Sequence, residues 1–423
     1  MIIDDVNDSE RSPLKGSQTV PPPPHLSEKC PTSFASAILI PPPAPAPIIA
    51  QPPRKRSRSN HHHRGRFRAR KCLIAGSVAL NCLLFLLLIR VLPRHTTIHD
   101  SSEDGEGDDG DGALSGGHLD VVSSSVSFPR VLMTVRHHST EVRDRANVCW
   151  MERMDAYGLG IFTPAPFDGQ TPKDRLEFKL TLLLPAGSGS SLPVYNLESR
   201  LPSFSTHLDI PPDSLEFDNL FLFSQNEPIT AKSVFARNAT VQTSNGVISG
   251  SFEASDALSL VTSNAPIDAT VKLYNRNVFK TTELMIQTRN AQLQSDISLT
   301  TSSASGEGGK FDIEATTSDG PLFVTFPDSP THSILTFNGQ TSNSPANVWL
   351  NNAFEGEFAL SSNLVFVDRR PFLDPRKLRS VFWEPLKNGM IVGSVRWKLP
   401  VWKTKIPGFV RVGTTNNLLN LYV

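Results

Sequence analysis

The sequence predicts an all-β domain carried behind a single apolar helix, and three observations predict it. A six-residue unit close to T-S-N-x-P-I recurs through the C-terminal half of the chain. The segments between its copies alternate apolar and polar residues at the period of a half-buried strand. Ahead of both lies one apolar run, Cys72–Leu92, with basic residues crowded on its N-terminal side.

The 423 residues carry a formal net charge of zero. That neutrality hides a basic block, Arg54–Lys71, and an acidic one, Asp100–Asp111, so charge is segregated along the chain. Residues 1–71 contain Pro21–Pro24, the run PPPAPAP over Pro41–Pro47, and Pro52–Pro53, with few large apolar side chains. Such a segment cannot bury enough surface to offset backbone entropy, which predicts a disordered tail with polyproline II character. Its PxxP segments have the form of SH3-type ligands, and its basic block can lie on an anionic leaflet. His61–His63 have no fixed geometry in such a tail and are expected to be inert.

The run CLIAGSVALNCLLFLLLIRVL (72–92) contains one charge, Arg90, near its far end. Its apolar part, Leu73–Ile89, sits at the lower end of the roughly 17–25 residues that cross a bilayer. It lacks the polar face of a surface helix. The excess of Arg and Lys ahead of it predicts a cytosolic N-terminus and a type II single-pass protein of the plasma membrane or secretory pathway. The bilayer is thus the first expected partner, and Cys72 is placed where palmitoylation occurs. Residues 93–120 read as an acidic, Gly-rich stalk, in which the D-x-D of Asp109 and Asp111 is part of a solvated linker.

Beyond the stalk, 121–207 is expected to be an N-terminal cap, 208–370 the repeats, and 371–423 a C-terminal cap with a last repeat, rich in Trp. The units begin at Ser224, Thr243, Thr262, Thr288, Thr317, Thr341 and Ser361, with successive spacings of 19, 19, 26, 29, 24 and 20, and an echo, TTNNLL, begins at Thr414. Their third residues are Asn226, Asn245, Asn264, Asn290, Asp319, Asn343 and Asn363. Asn and Asp tolerate left-handed backbone and bond their own main chain, which suits them to corners. Asn245-Gly246 could also be a type I′ hairpin turn in an antiparallel β-sandwich. Against that alternative, the Gly is replaced elsewhere by Ala265, Ser344 or Leu364, and Pro228, Pro266, Pro321 and Pro345 would remove a ladder donor after the turn. The favoured reading is a parallel β-solenoid of about eight coils, rising about 4.8 Å each. The longer spacings predict loops around Tyr274–Lys280 and Ser302–Lys310.

Cys30 lies in the tail, Cys72 and Cys82 in or beside the apolar run, and Cys149 is alone in the C-terminal part. No intrachain disulfide is therefore expected there, and Cys149 is read as a buried thiol, with an intermolecular bridge as the alternative. The best acid pair is Asp312 and Glu314, which share a strand face by period two; a solvated face accounts for it. There is no G-x-S-x-G, no H-E-x-x-H and no phosphate-binding Gly loop, and His137-His138 has no partners at metal spacing. No catalytic residue, cofactor, metal or nucleic-acid partner is expected. Asn238-Ala-Thr240 is an N-glycosylation sequon.

Three segments carry a resemblance: LPSFSTHLDIPPDSLEFDNLFLFSQNEPI (Leu201–Ile229), TSNGVISGSF (Thr243–Phe252) and TSNAPIDATVKLYN (Thr262–Asn275). In these the chain resembles the putative-adhesin type of β-solenoid repeat domain, and most of all a fungal group of uncharacterised membrane-anchored proteins with the same order of tail, helix and repeats. The resemblance spans about Leu176 to the C-terminus. It implies a surface or wall-associated role and brings no catalytic residues. The leading expectation is a non-enzymatic structural or adhesive ectodomain that meets cell-wall glycan or a surface protein. The rival is a membrane-bound carbohydrate-active enzyme of the secretory pathway.

Overall fold

The computed structural model describes residues 115–153, 156–163, 174–186, 191–369, 378–386, 389–398 and 408–423, together with the backbone of Leu84–Ile89 and Thr96–Ser102. All belong to one of the chain's two units; the other, 28–81, lies outside the described residues. The expectations placed on the tail, on Cys30, Cys72 and Cys82, and on Asp109 and Asp111 also lie outside them.

The fold is all-β: among the described residues the strands join through hydrogen-bonded pairs into one 25-stranded sheet. The first part holds β1 (Leu84–Ile89), β2 (Thr96–Ser102), β3 (Gly116–Ser124), β4 (Arg130–His137), the short helix α1 (Thr140–Asp144), β5 (Asn147–Arg153), β6 (Ala156–Phe162) and β7 (Leu176–Pro185). The stacked part begins with β8 (Leu192–Arg200), β9 (Phe204–Asp209), β10 (Leu215–Phe223), β11 (Ile229–Gln242), β12 (Ile248–Val261) and β13 (Ile267–Asn275). It continues with β14 (Thr281–Gln287), β15 (Leu293–Thr301), β16 (Lys310–Thr316), β17 (Leu322–Thr325), β18 (Ile334–Gln340) and β19 (Ala346–Trp349). Last come β20 (Gly356–Ser361), β21 (Leu364–Asp368), β22 (Arg379–Pro385), β23 (Met390–Trp397), β24 (Gly408–Gly413) and β25 (Leu418–Tyr422).

The repeat unit explains how these strands pair. Each copy joins a strand before it to a strand after it, and each of the two then pairs in parallel with its counterpart from the next copy. The strands before the corner run β8, β10, the second half of β11, the second half of β12, β14, β16 and β18. Those after it run β9, the first half of β11, the first half of β12, β13, β15, β17 and β19. Loops occupy 276–280 and 302–309, where the spacing between units is longest.

Register follows from the pattern. In every unit but the one at Ser361, the sixth residue (Ile229, Ile248, Ile267, Leu293, Leu322, Ala346 or Leu419) pairs with its counterpart on the neighbouring level. All seven are fully buried. Burying one such aliphatic side chain stabilises the fold by about 1.5–3 kcal/mol, and a one-residue slip would turn the whole column outward.

The described residues depart from the sequence reading at four points. Leu84–Ile89, expected within a helix over Cys72–Leu92, is strand β1, paired antiparallel with β6 and β8; a short run without a polar face reads equally as a helix or a two-sided strand. No helix among the described residues is long and apolar enough to cross a membrane. The stalk expected to reach residue 120 is interrupted by β2 and β3, and β3 lies between β7 and β9 with Leu119 fully buried. The stacked strands begin at Leu192 rather than 208, because Leu201–Phe204 is already a corner whose Pro202 carbonyl accepts from Gln225 and Asn226. The C-terminal echo is not the end of the stack. β24 lies between β18 and β20, and β25 between β19 and β21, so the last strands in sequence are inserted under the preceding level. The hairpin β22–β23 then pairs antiparallel onto β20.

Candidate functional site

The corners define the site, and each position of the six-residue unit has a separate physical reason. The first residue, Ser224, Thr243, Thr262, Thr288, Thr317, Thr341 or Thr414, is buried. Its hydroxyl satisfies a carbonyl of the corner below: Thr262 Oγ1 donates to Gly246 O (3.3 Å), Thr288 to Ala265 O (3.0 Å), Thr317 to Ala291 O (3.1 Å), Thr341 to Gly320 O (3.1 Å) and Thr414 to Ser344 O (3.0 Å). A buried carbonyl left unpaired would cost more than the bond contributes, which fixes Ser or Thr at this point.

The second and third residues both donate their backbone N–H to the second residue's carbonyl on the level below, as Ser263 and Asn264 do to Ser244 O at 3.1 and 2.9 Å. The sixth residue donates to the fifth residue's carbonyl on the level above, as Leu293 does to Pro321 O. The fifth residue is thus needed only as an acceptor there, which is why Pro is admitted. Gly fits the fourth position at two corners because of close approach: a Cβ on Gly246 or Gly320 would lie 1.9 or 1.8 Å from the carbonyl oxygen of Glu227 or Ala291.

The third residues form an exposed line. Asn245 Nδ2 donates to Asn226 Oδ1 (2.8 Å), Asn264 to Asn245 (2.6 Å) and Asn290 to Asn264 (2.6 Å). Asn343 donates to Asp319 Oδ1 (2.6 Å) and Asn416 to Asn343 Oδ1 (2.8 Å). The line breaks once, between Asn290 and Asp319, because a carboxylate has no hydrogen to donate to the amide oxygen beneath it. Asn363 stands outside the line: its corner turns straight from Asn363 into β21, and Leu364 N–H donates to Ser362 Oγ instead. The expected reason for Asn was left-handed backbone. Among the described residues only Asp213 and His332 combine positive φ with a side chain, so the corner Asn residues serve the amide line instead.

Beside this line the upper corners enclose an open groove of about 390 Å³. Gln287, Thr316 and Gln340, each immediately ahead of a corner, line it together with Arg289, Ser318 and Ser342, each second in its unit; Arg411 on β24 and Ser361 on β20 line it further along the stack. Elsewhere on the stack Lys232, Arg237, Lys272, Arg276 and Lys280 each pair with a carboxylate. Arg289 and Arg411 make no ion pair among the described residues, and no carboxylate lines the groove. Sequence reading did not single out either arginine. The signal for Arg289 was the departure of TRNAQL from the T-S-N pattern.

The other expected positions lie apart from this edge. Asn238 is exposed on β11, where its Nδ2 donates to Asn219 Oδ1 (3.3 Å) beside a register shift between Ala236 and Asn238. Asp312 and Glu314 are exposed on one face of β16. Cys149 is buried. Among the described residues no group of three His, Cys, Asp or Glu side chains is placed to hold a metal.

One further contact was not foreseen. Ser205 Oγ lies 2.6 Å from His118 Nδ1, and His118 Nε2 lies 2.8 Å from Asp120 Oδ1. β3 and β9 place His118 directly opposite Ser205. The N–H groups beside Ser205 are engaged, Phe204 with Leu201 O and Thr206 with Pro228 O. Neither is left to stabilise an oxyanion.

No protein-family model and no curated protein matches the chain. Among solved structures, a "putative cell adhesion protein" from Clostridium sporogenes aligns with 73% of this chain and 89% of its own length, at 8% identity and a TM-score of 0.14.

Proposed function

We propose that the chain presents a non-catalytic, adhesin-like β-solenoid as the ectodomain of a type II membrane protein, and that it meets cell-wall glycan or another surface through its corner edge. In this reading each corner and its two strands form one coil, and β3–β7 and β22–β23 act as the end caps that a solenoid requires. The parallel pairing of every strand pair within β8–β21, β24 and β25 supports it. An antiparallel sandwich offers no such ladder. The observation that carries the functional part is the exposed row of polar side chains, repeated in register from Asn226 to Asn416. It offers hydroxyls and amides at a regular spacing, as polyhydroxylated ligands require. A sugar chain on Asn238 and an SH3-type partner for the Pro-rich tail belong to the same reading. The test is retention of the full-length chain on cell-wall fractions; passage through every fraction would contradict an adhesive role.

The membrane anchor rests on the apolar length of Cys72–Leu92 and on the flanking charge. A helix across the bilayer and the pairing of Leu84–Ile89 with β6 and β8 exclude each other. Alkaline extraction of membranes discriminates: an anchored chain stays in the pellet, whereas a chain that uses β1 in its sheet is released.

A second reading, a membrane-bound carbohydrate-active hydrolase, is favoured by the Ser205–His118–Asp120 contact more than by Asp312 and Glu314. It predicts labelling by a fluorophosphonate probe that is lost in Ser205→Ala and unchanged in Asp312→Ala or Glu314→Ala. Absence of labelling in the parent chain would remove it.

A further inference from the structure

We infer that the groove between Arg289 and Arg411 is a binding site for an acidic polysaccharide, a linear glycan bearing carboxylate groups. This inference rests on the adhesive reading and names the ligand class its edge selects. Both guanidinium-bearing residues line the groove, on different levels of the stack. Arg289 belongs to the Thr288 corner and Arg411 to β24, three levels further along the stack. At about 4.8 Å per level their separation along the stack is about 14 Å.

A ligand lying in the groove therefore crosses four levels, which only an extended chain can do. Along the same groove, Gln287 and Gln340 offer amides, and Thr316 and Ser342 offer hydroxyls. Such groups bond sugar hydroxyls as donors or acceptors. The charge is sparse: two arginines in four levels, with the lining otherwise neutral. A densely charged polyanion would want a cation at every level, and no aromatic ring lines the groove for bases to stack on. A sparsely charged, hydroxyl-rich polymer fits this lining better than a nucleic acid or an acidic peptide does.

The guanidiniums are also free to act. Both side chains are exposed, and the Arg411 guanidinium lies over the Phe409 ring, 5.8 Å from its centroid. Arginine binds carboxylate through two parallel N–H donors, a geometry lysine does not reproduce.

The experiment measures binding of the full-length chain to polygalacturonate, to the same polymer with its carboxylates methyl-esterified, and to inorganic polyphosphate. Tightest binding to polygalacturonate is expected, with a loss of about tenfold to a hundredfold in each of Arg289→Gln and Arg411→Gln, the size of one charge-assisted contact. Short oligomers that cannot reach both arginines should bind weakly and respond to only one substitution. Both variants replace exposed side chains, and unchanged melting curves would show that they fold. Equal binding of the esterified polymer, or variants that bind as well as the parent, would overturn the acidic ligand while leaving the adhesive reading intact. Preference for polyphosphate would overturn it in favour of a general polyanion surface. Failure to bind any of these polymers or any wall fraction would remove both.

Discussion

The stacked strands and the strands ahead of them are built from the same kinds of residue yet held by different rules. From Ile229 to Trp349 each level repeats the one below it, so a side chain meets its own kind: Ile on Ile, Thr under Thr, Asn beside Asn. From Gly116 to Pro185 no level repeats. β3 pairs in parallel with β7 and β9, whereas β4 pairs antiparallel with β7 and β5 with β6. The contrast teaches that repetition here serves polar groups as much as the core. Apolar columns need only matching volume, but the hydroxyl and amide lines need the same donor and acceptor at each level.

The largest expected effect comes from removing the inserted level. Deletion of 408–423 takes away β24 and β25, exposing β18 and β19 on one side and β20 and β21 on the other. Unpaired parallel edges invite aggregation, so the truncated chain is expected to lose its cooperative melting transition and to sediment as aggregate. An unchanged melt would mean that the two halves can close on each other. Next is the core of the stack: Ile267→Ala should cost about 2–5 kcal/mol in denaturant unfolding. Thr262→Val, which keeps shape and removes the hydroxyl bonded to Gly246 O, should cost about 1–2 kcal/mol. Asn264→Ala cuts the amide line on both sides at an exposed position and should cost about 1 kcal/mol.

The smallest effect is the most informative in sign. Asp319→Asn would let the amide at this level donate to Asn290 Oδ1 and close the one gap in the line. It is expected to stabilise the chain by about 0.5–1 kcal/mol. A destabilised variant would mean that the carboxylate has a use of its own.

These contrasts also explain what was legible in the sequence. The corners were visible because each level demands the same residues at the same points, and the strands between them because one face is buried. Asn was expected for its tolerance of left-handed backbone, but its partner is the amide of the next level, which no single unit reveals. The insertion of β24 and β25 was hidden because spacing gives the order of units along the chain, not along the stack. The first part of β3, 116–120, was read as stalk because its alternation, L-D-V from Leu119, follows a Gly-rich run without a break in composition. Arg411 lies in a strand ahead of the TTNNLL echo, so its place beside the groove became visible only in three dimensions.

The central claim is that the corners of successive repeats stand in one line, since both the polar edge and the groove depend on it. Spin labels on cysteines placed at 245 and 264, in a chain whose four native cysteines are replaced, test it by dipolar broadening. Adjacent levels about 5 Å apart should broaden the spectrum strongly, whereas labels at 245 and 343, about 19 Å apart at four levels, should broaden it only weakly. Equal spectra for the two pairs, or no broadening for the first, would contradict the account.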